Sequence, residues 1–408
     1  MTNQTASITN SCMTVDTAEL LRRAQALVPT LKERAFKTAE AGKVLDETVQ
    51  DILAAQLNRI GVPSRFGGFD IAFDTHHKVA MELARACGST AWCYSLWGAH
   101  TYWLAYFDPQ AQEEVFADGP DVITSSASFS VQSNYKKVPG GFYVSGHWRF
   151  VSGCDHAQWV FAIVDGPDGK LDAIIPRSAF KIIDGTWAVS GLQGTGSKDI
   201  VVDGVFVPDY RTQFGGGELY NVEHAAQRPP MPYHAQRRYT VPKYALVVWD
   251  LVAPTIGMAQ GAVDEIVERM KGTHGGPRSA ESEVVQNKIS ESSAEIDAAK
   301  ALLHSDFQDA QDKGENSETF TDVTLARYAR DRAYAAKLAV NAADRMFEMA
   351  GARALSLKDP LQRIARDVQA AVHRDGLIFD FASQPFARAL FGMDPGFSVL
   401  RKGEVNRR

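Results

Sequence analysis

From Asp16 to about Ala117 the apolar positions return at helical spacing. Val49, Ile52, Leu53, Gln56, Leu57 and Ile60 recur at intervals of three and four, and Gly61 with Pro63 closes that element. Residues 80–87 and 91–106 continue the pattern with Leu, Ala and many aromatics. After Asp118-Gly119-Pro120 the period changes to alternation. Runs at 122–130, 141–151, 158–164, 171–175 and 199–207 are short and rich in Val, Ile, Phe and Thr. Turn signals such as Pro139-Gly140-Gly141 and Pro167-Asp168-Gly169 divide them. No helical pattern lies between these runs, so an antiparallel barrel or sandwich is expected rather than a parallel sheet. Residues 212–239, with Gly215-Gly216-Gly217, Pro229-Pro230 and Pro232, read as a linker or substrate-facing loop. Helical spacing then resumes, with long amphipathic segments at 280–312 and 320–350, followed by 360–374 and 375–390. The expected organisation is α+β: an N-terminal helical domain over 1–118, a central β-domain over 119–212, a linker or substrate loop over 213–240, and a C-terminal helical bundle over 241–408.

Composition narrows the function classes. The 408 residues carry 43 Lys+Arg against 49 Asp+Glu, a net charge of −6 that leaves no electrostatic footprint for nucleic acid or an anionic membrane. Cys12, Cys87, Cys93 and Cys154 form no Cys-x-x-Cys pair. Reduced, buried thiols and a reducing, cytoplasmic compartment are therefore expected. Residues 1–15 show neither the basic region nor the apolar run of a secretory signal. Residues 244–263 are apolar but carry Asp250 and Pro254, which predicts a buried core helix rather than a membrane span.

Several common sites are missing from the sequence: Gly-x-Gly-x-x-Gly, a Walker loop, Gly-x-Ser-x-Gly, His-Glu-x-x-His and the Glu-x-x-His of di-iron bundles. His76 and His77 adjoin without a matching ligand pair. Neither metal catalysis nor a nicotinamide-binding Rossmann domain is expected, and no metal ligand is assigned. Trp92, Tyr94, Trp97, His100, Tyr102, Trp103, Tyr106 and Phe107 crowd one predicted helix, while Trp148, Phe150 and Trp159 mark the strands. Aromatics at this density serve either core packing or a flat cofactor and aromatic substrate.

Four segments carry a resemblance to a known family. They are Ser89-Thr90-Ala91-Trp92 with His100, the run from Gly146 to Trp159 around Trp148-Arg149-Phe150-Val151-Ser152-Gly153, the run from Gly191 to Pro208, and Pro360-Leu361-Gln362-Arg363-Ile364-Ala365-Arg366-Asp367 with His373. Together they resemble the reduced-flavin-dependent, two-component monooxygenases of the acyl-CoA dehydrogenase superfamily, over about Ala18 to Gly392. True acyl-CoA dehydrogenases carry Thr-Glu-Pro-x-x-Gly-Ser before the flavin strand, where this chain reads Thr124-Ser125-Ser126-Ala127-Ser128-Phe129. Their Tyr-Glu-Gly base region is here Val372-His373-Arg374-Asp375-Gly376.

The resemblance implies a C-terminal four-helix bundle and a homotetramer assembled through those helices. It implies reduced FAD or FMN from a separate NAD(P)H:flavin reductase, O2 as co-substrate, a C4a-hydroperoxyflavin, and hydroxylation or epoxidation of a phenol- or indole-like ring. Ser152 is expected beside flavin N5, His100 as base or hydrogen-bond partner of the substrate, and His373 as donor to the flavin oxygen, with Arg366 two turns earlier on the same helix face. Trp92, Phe150, Val151, Ala350, Gly351 and Arg366 are expected to contact the flavin, and Ser126, His100 and Trp97 the substrate. The alternatives are a flavin dehydrogenase of the acyl-CoA dehydrogenase type, an N- or S-oxygenase on the same scaffold, and a flavin-free structural paralogue.

Overall fold

Helix ends follow capping residues. Asp16 accepts the Glu19 N–H to start α1 (Thr17–Ala41), and Gly42 closes it in the left-handed region at φ 61°. α2 (Asp46–Ala54) is shorter than its periodic stretch because the chain turns at Gln56, φ 60°, into a single 3-10 turn over Leu57–Arg59. α3 (Phe73–Ala84), α4 (Gly88–Leu104) and α5 (Pro109–Val115), capped by Asp108, follow. Every residue of α4 is buried, so it meets protein on all sides. The structure is a computed structural model that describes residues 15–69, 71, 73–214, 239, 241, 242, 245, 247–271 and 280–396. The 1–14 segment with Cys12, and 215–238 of the expected linker, lie outside the described residues.

The strands form a sandwich of two four-stranded sheets. One has the order β1 (Thr124–Ala127), β4 (Trp159–Val164), β5 (Leu171–Pro176), β8 (Thr212–Phe214). The other has the order β2 (Phe129–Val138), β3 (Gly141–Val151), β7 (Lys198–Pro208), β6 (Lys181–Ile183). Their facing sides bury Val144, Trp148, Val160, Ile175 and Ile200.

Two details depart from the pattern-based reading. The single run at 122–130 is two strands that change sheet at Ser128. Among the described residues, all strand pairs are antiparallel except β1 with β4, which run parallel. The β2–β3 hairpin lies between them and supplies the long crossover that a parallel pair needs. Gln213 and Phe214, placed in the linker by composition, belong to β8.

Four long helices, α6 (Trp249–Lys271), α7 (Glu283–Asn316), α8 (Asp322–Ala350) and α9 (Pro360–Val372), form the C-terminal bundle, and the short α10 (Phe379–Ala382) and α11 (Gln384–Leu390) pack on α8. The apolar 244–263 stretch contributes most of α6, with Asp250 and Pro254 both buried. Among the described residues no helix is long and apolar enough to cross a membrane. α6 also packs against α3 and α4, and one continuous core runs from Leu20 through Trp92 and Tyr102 to Ile256, Tyr328 and Val368. Cys87, Cys93 and Cys154 are buried and free.

His76 and His77 lie fully buried on α3. The His76 Nε2–H donates to the Ser95 carbonyl at 3.0 Å, and its ring lies 4.6 Å from that of Tyr94. Burial pulls its pKa from 6.5 to about 4 in spite of that bond. The unfolded chain takes up the proton near pH 6.5, whereas the folded chain resists it to about 4. This group's contribution is therefore complete above 6.5 and is lost as pH falls through that window. Urea unfolding at two pH values tests it: His76→Gln should shrink the stability difference between pH 7.5 and pH 5 by about 2 kcal/mol. An unchanged difference would assign the acid sensitivity to other groups.

Candidate active site

The end of β3 sets the site. Phe150 has φ 62°, and the register with β7 skips between Trp148 and Val151. A left-handed backbone at a bulky residue is uncommon and costs about 1–3 kcal/mol. Here it turns Phe150 outward, 45% exposed, while Val151 stays fully buried in the sandwich. Phe150 stands edge-on to Phe129 and Trp187, with ring centroids 5.8 and 6.1 Å away. The Arg149 guanidinium covers it at 4.8 Å.

Two cavities meet at this strand end. The larger, about 620 Å³, is lined by Trp92, Trp187, Gly191, Leu192, Thr195, Ser197, Ala370, Ala371 and His373 among others. The smaller, about 130 Å³, is lined by Leu96, His100, Trp103, Ser126, Ile163, Val247, Val248 and Asp250 among others. Phe129, Phe150, Ser152 and Arg374 line both.

Helical spacing puts Leu96, His100 and Trp103 on one face of α4. His100 Nδ1 lies 3.4 Å from the Thr124 carbonyl. A carbonyl only accepts, so Nδ1 carries the proton and Nε2 is the basic nitrogen of the neutral ring. Ser126, on β1, hydrogen-bonds Ser128. The Ser152 hydroxyl accepts from Trp92 Nε1–H at 3.3 Å and lies 2.7 Å from that of Ser197, itself 2.7 Å from that of Thr195. The Gly153 N–H donates to the Thr195 carbonyl at 2.8 Å, which fixes this turn against the segment before β7.

That segment is held over the larger cavity by α9. Asp359 caps the helix, Pro360 begins it, and the Asp367 carboxylate accepts the Leu192 N–H at 2.6 Å. Burial raises the Asp367 carboxyl above its ordinary range, while Arg363, 3.6 Å away, and the Leu192 N–H pull the other way. Arg366 donates to the Ser190 carbonyl at 2.6 Å. Gly191 fits only because it lacks a side chain: a Cβ there would lie 2.0 Å from the Arg366 carbonyl oxygen.

The structure brings together Trp92, His100, Ser126, Phe150, Ser152 and His373, and leaves the other expected residues outside both cavities. Val151 faces the sandwich core. Trp97, one residue from Leu96, is rotated away and packs against the turn at Gly153. Arg366 points at Ser190, and His373 sits just past the end of α9 as its C-cap, so the two do not share a helical face. Ala350 and Gly351 end α8 at the surface side and line neither cavity.

Sequence reasoning missed Phe129, Trp187, Trp103, Arg374 and Asp250 as lining residues. Trp103 could have been found by helical spacing from His100. Asp250 announced itself as a lone acid in an apolar stretch, a pattern that marks functional sites as well as arguing against a membrane span.

The larger cavity suits a flavin ring by its volume, its aromatic walls, and its cluster of hydroxyls at Ser152, Thr195 and Ser197. Residues 250–375 match the family described as acyl-CoA dehydrogenase, C-terminal domain. The oxygenase subunit HsaA, a flavin-dependent monooxygenase of Rhodococcus jostii (strain RHA1), is 33% identical over 361 residues, which cover 86% of this chain and 92% of that protein. The oxygenase component of p-hydroxyphenylacetate 3-hydroxylase from Acinetobacter baumannii is 27% identical, over 93% of this chain and 91% of that one. The crystal structure of the HsaA monooxygenase from M. tuberculosis superposes with a TM-score of 0.86 at 31% identity, covering 94% of this chain and 99% of that one. The chain belongs to the flavin-dependent monooxygenase oxygenase components built on the acyl-CoA dehydrogenase fold.

The contact between Gly191 and α9 can be tested without any ligand. Gly191→Ala should lower stability by about 1–3 kcal/mol, the usual cost of overpacking. Thermal unfolding measures it, and an unshifted midpoint would show that the segment before β7 does not depend on this approach.

Proposed function

We propose that this oxygenase component places one oxygen atom from O2 on a compact phenol- or indole-like ring held in the smaller cavity, with reduced FAD or FMN in the larger. The observation that supports this most is the shared wall: a cofactor-sized cavity and a ring-sized one meet at Phe150 and Ser152. A cavity of about 150 Å³ accepts benzene, so one of about 130 Å³ is on the scale of a small aromatic ring system.

The bound reduced flavin supplies the electrons that activate O2. The protein's residues hold, orient and exclude water. Trp92, Phe129, Phe150 and Trp187 give the flavin ring an apolar surround, and Ser152 hydrogen-bonds it where the cavities meet. His100 Nε2 accepts the substrate O–H or N–H proton; a positioned base of this kind contributes about 10²–10⁴-fold. Ser126 lies beside it as a hydroxyl partner, and His373 is the donor at the opposite mouth.

A separate NAD(P)H:flavin reductase supplies the reduced cofactor. The chain assembles as a homotetramer through its C-terminal helices, a reading supported by exposed Phe381, Leu390 and Phe391 on and beside α10 and α11. Ala350 and Gly351 reach the flavin across that interface. Three buried thiols fit a reducing, cytoplasmic compartment.

Chemically reduced FAD or FMN, mixed with O2 and a panel of phenols and indoles, should yield oxygenated product; no product with either flavin would overturn the reading. Ser152→Ala should still bind flavin but release more hydrogen peroxide per product formed, by tenfold or more on the scale of a lost catalytic hydrogen bond. An unchanged ratio would remove the residue's assignment. His100→Ala should slow substrate oxidation by about 10²-fold or more, and a wild-type rate would place the base elsewhere.

A further inference from the structure

The hydroxyls of Ser152, Ser197 and Thr195 form a chain whose direction follows from counting protons. Thr195 Oγ1 lies 2.9 Å from the Leu192 carbonyl, which can only accept, so the single Thr195 hydroxyl proton is used there. The 2.7 Å contact between Thr195 and Ser197 is then made by the Ser197 proton. The 2.7 Å contact between Ser197 and Ser152 is made in turn by the Ser152 proton. Trp92 Nε1–H, which can only donate, completes the chain at the Ser152 oxygen. Reversing the chain would break the bond to Leu192, so this is the one arrangement that makes every contact at once. Ser197 and Thr195 are 3% and 1% exposed, so water does not easily substitute for either.

We infer that Ser197 and Thr195 are positioning residues that hold the Ser152 proton away from the cavity, so that Ser152 meets the flavin as a hydrogen-bond acceptor. The inference rests on the oxygenase reading with Ser152 beside the flavin ring nitrogen N5. Reduced flavin carries a hydrogen on N5 and satisfies an acceptor; oxidised flavin presents a bare lone pair there and does not. The hydroxyl chain thereby favours the reduced cofactor before any oxygen arrives.

The test measures binding rather than turnover. Anaerobic titration of the full chain gives the dissociation constants of oxidised and reduced flavin, and their ratio in the wild type should favour the reduced form. Ser197→Ala and Thr195→Val each release the Ser152 proton to turn toward the cavity, and should reduce that ratio roughly fivefold, the worth of one hydrogen bond. Thr195→Ser keeps the hydroxyl and should retain the wild-type ratio. The ¹⁵N chemical shift of labelled N5 in bound reduced flavin should move in Ser197→Ala and Thr195→Val, and hold in Thr195→Ser. If Ser197→Ala does not fold, the two Thr195 variants decide the matter alone. A ratio unchanged in the hydroxyl-free variants, or a wild type without preference for reduced flavin, overturns the inference. A wild type that binds neither flavin overturns the oxygenase reading beneath it.

Discussion

The left-handed backbone at Phe150 governs what the β-sandwich presents to the helices. A strand that kept its alternation onward from the buried Trp148 would turn Phe150 inward and Val151 outward. The register skip between Trp148 and Val151 reverses that order, and the ladder resumes at Val151 opposite Lys198 before the strand ends. It frees Phe150 to stand between Phe129 and Trp187, and brings Ser152 and Gly153 round to meet Trp92 and Thr195. The conformational cost, about 1–3 kcal/mol, is offset by buried contacts on both sides of the turn.

Helix α9 is the second half of that arrangement. Its Asp367 and Arg366 hold the segment around Leu192 through hydrogen bonds to that segment's backbone, at Leu192 N–H and the Ser190 carbonyl. The same segment supplies the carbonyl of Leu192 on which Trp187 Nε1, the Thr195 N–H and the Thr195 hydroxyl converge. A bundle helix, through two of its side chains, thus fixes the far end of a polar chain that begins on α4. The site is a product of three layers meeting, and no single layer contains it.

Much of this was legible in the residues. The Asp359-Pro360 start of α9, the alternation of the central strands and the aromatic load of α4 all stand in the local sequence. Partner choice in the sheet does not: alternation reads the same for parallel and antiparallel neighbours, which is why the β1–β4 pairing was out of reach. The resemblance placed Trp97 at the substrate; in the fold Leu96, one residue and a 100° rotation away, lines the smaller cavity. The φ of Phe150 leaves no mark in the sequence, since Phe is an ordinary strand residue. Ser197 and Thr195 stood in the sequence only within the run from Gly191 to Pro208, because a hydroxyl's role depends on which other hydroxyls fold beside it.

Among the described residues, only Phe129, Phe150, Ser152 and Arg374 line both cavities. The remaining walls are independent. Changes at Leu96, Ile163, Val247 or Leu251 reshape the small compartment while every contact surface unique to the large one stays as it was. With substrate in the smaller cavity and flavin in the larger, as proposed, the architecture is modular: the acceptor of the oxygen atom can diversify over generations while the apparatus that activates oxygen is inherited intact.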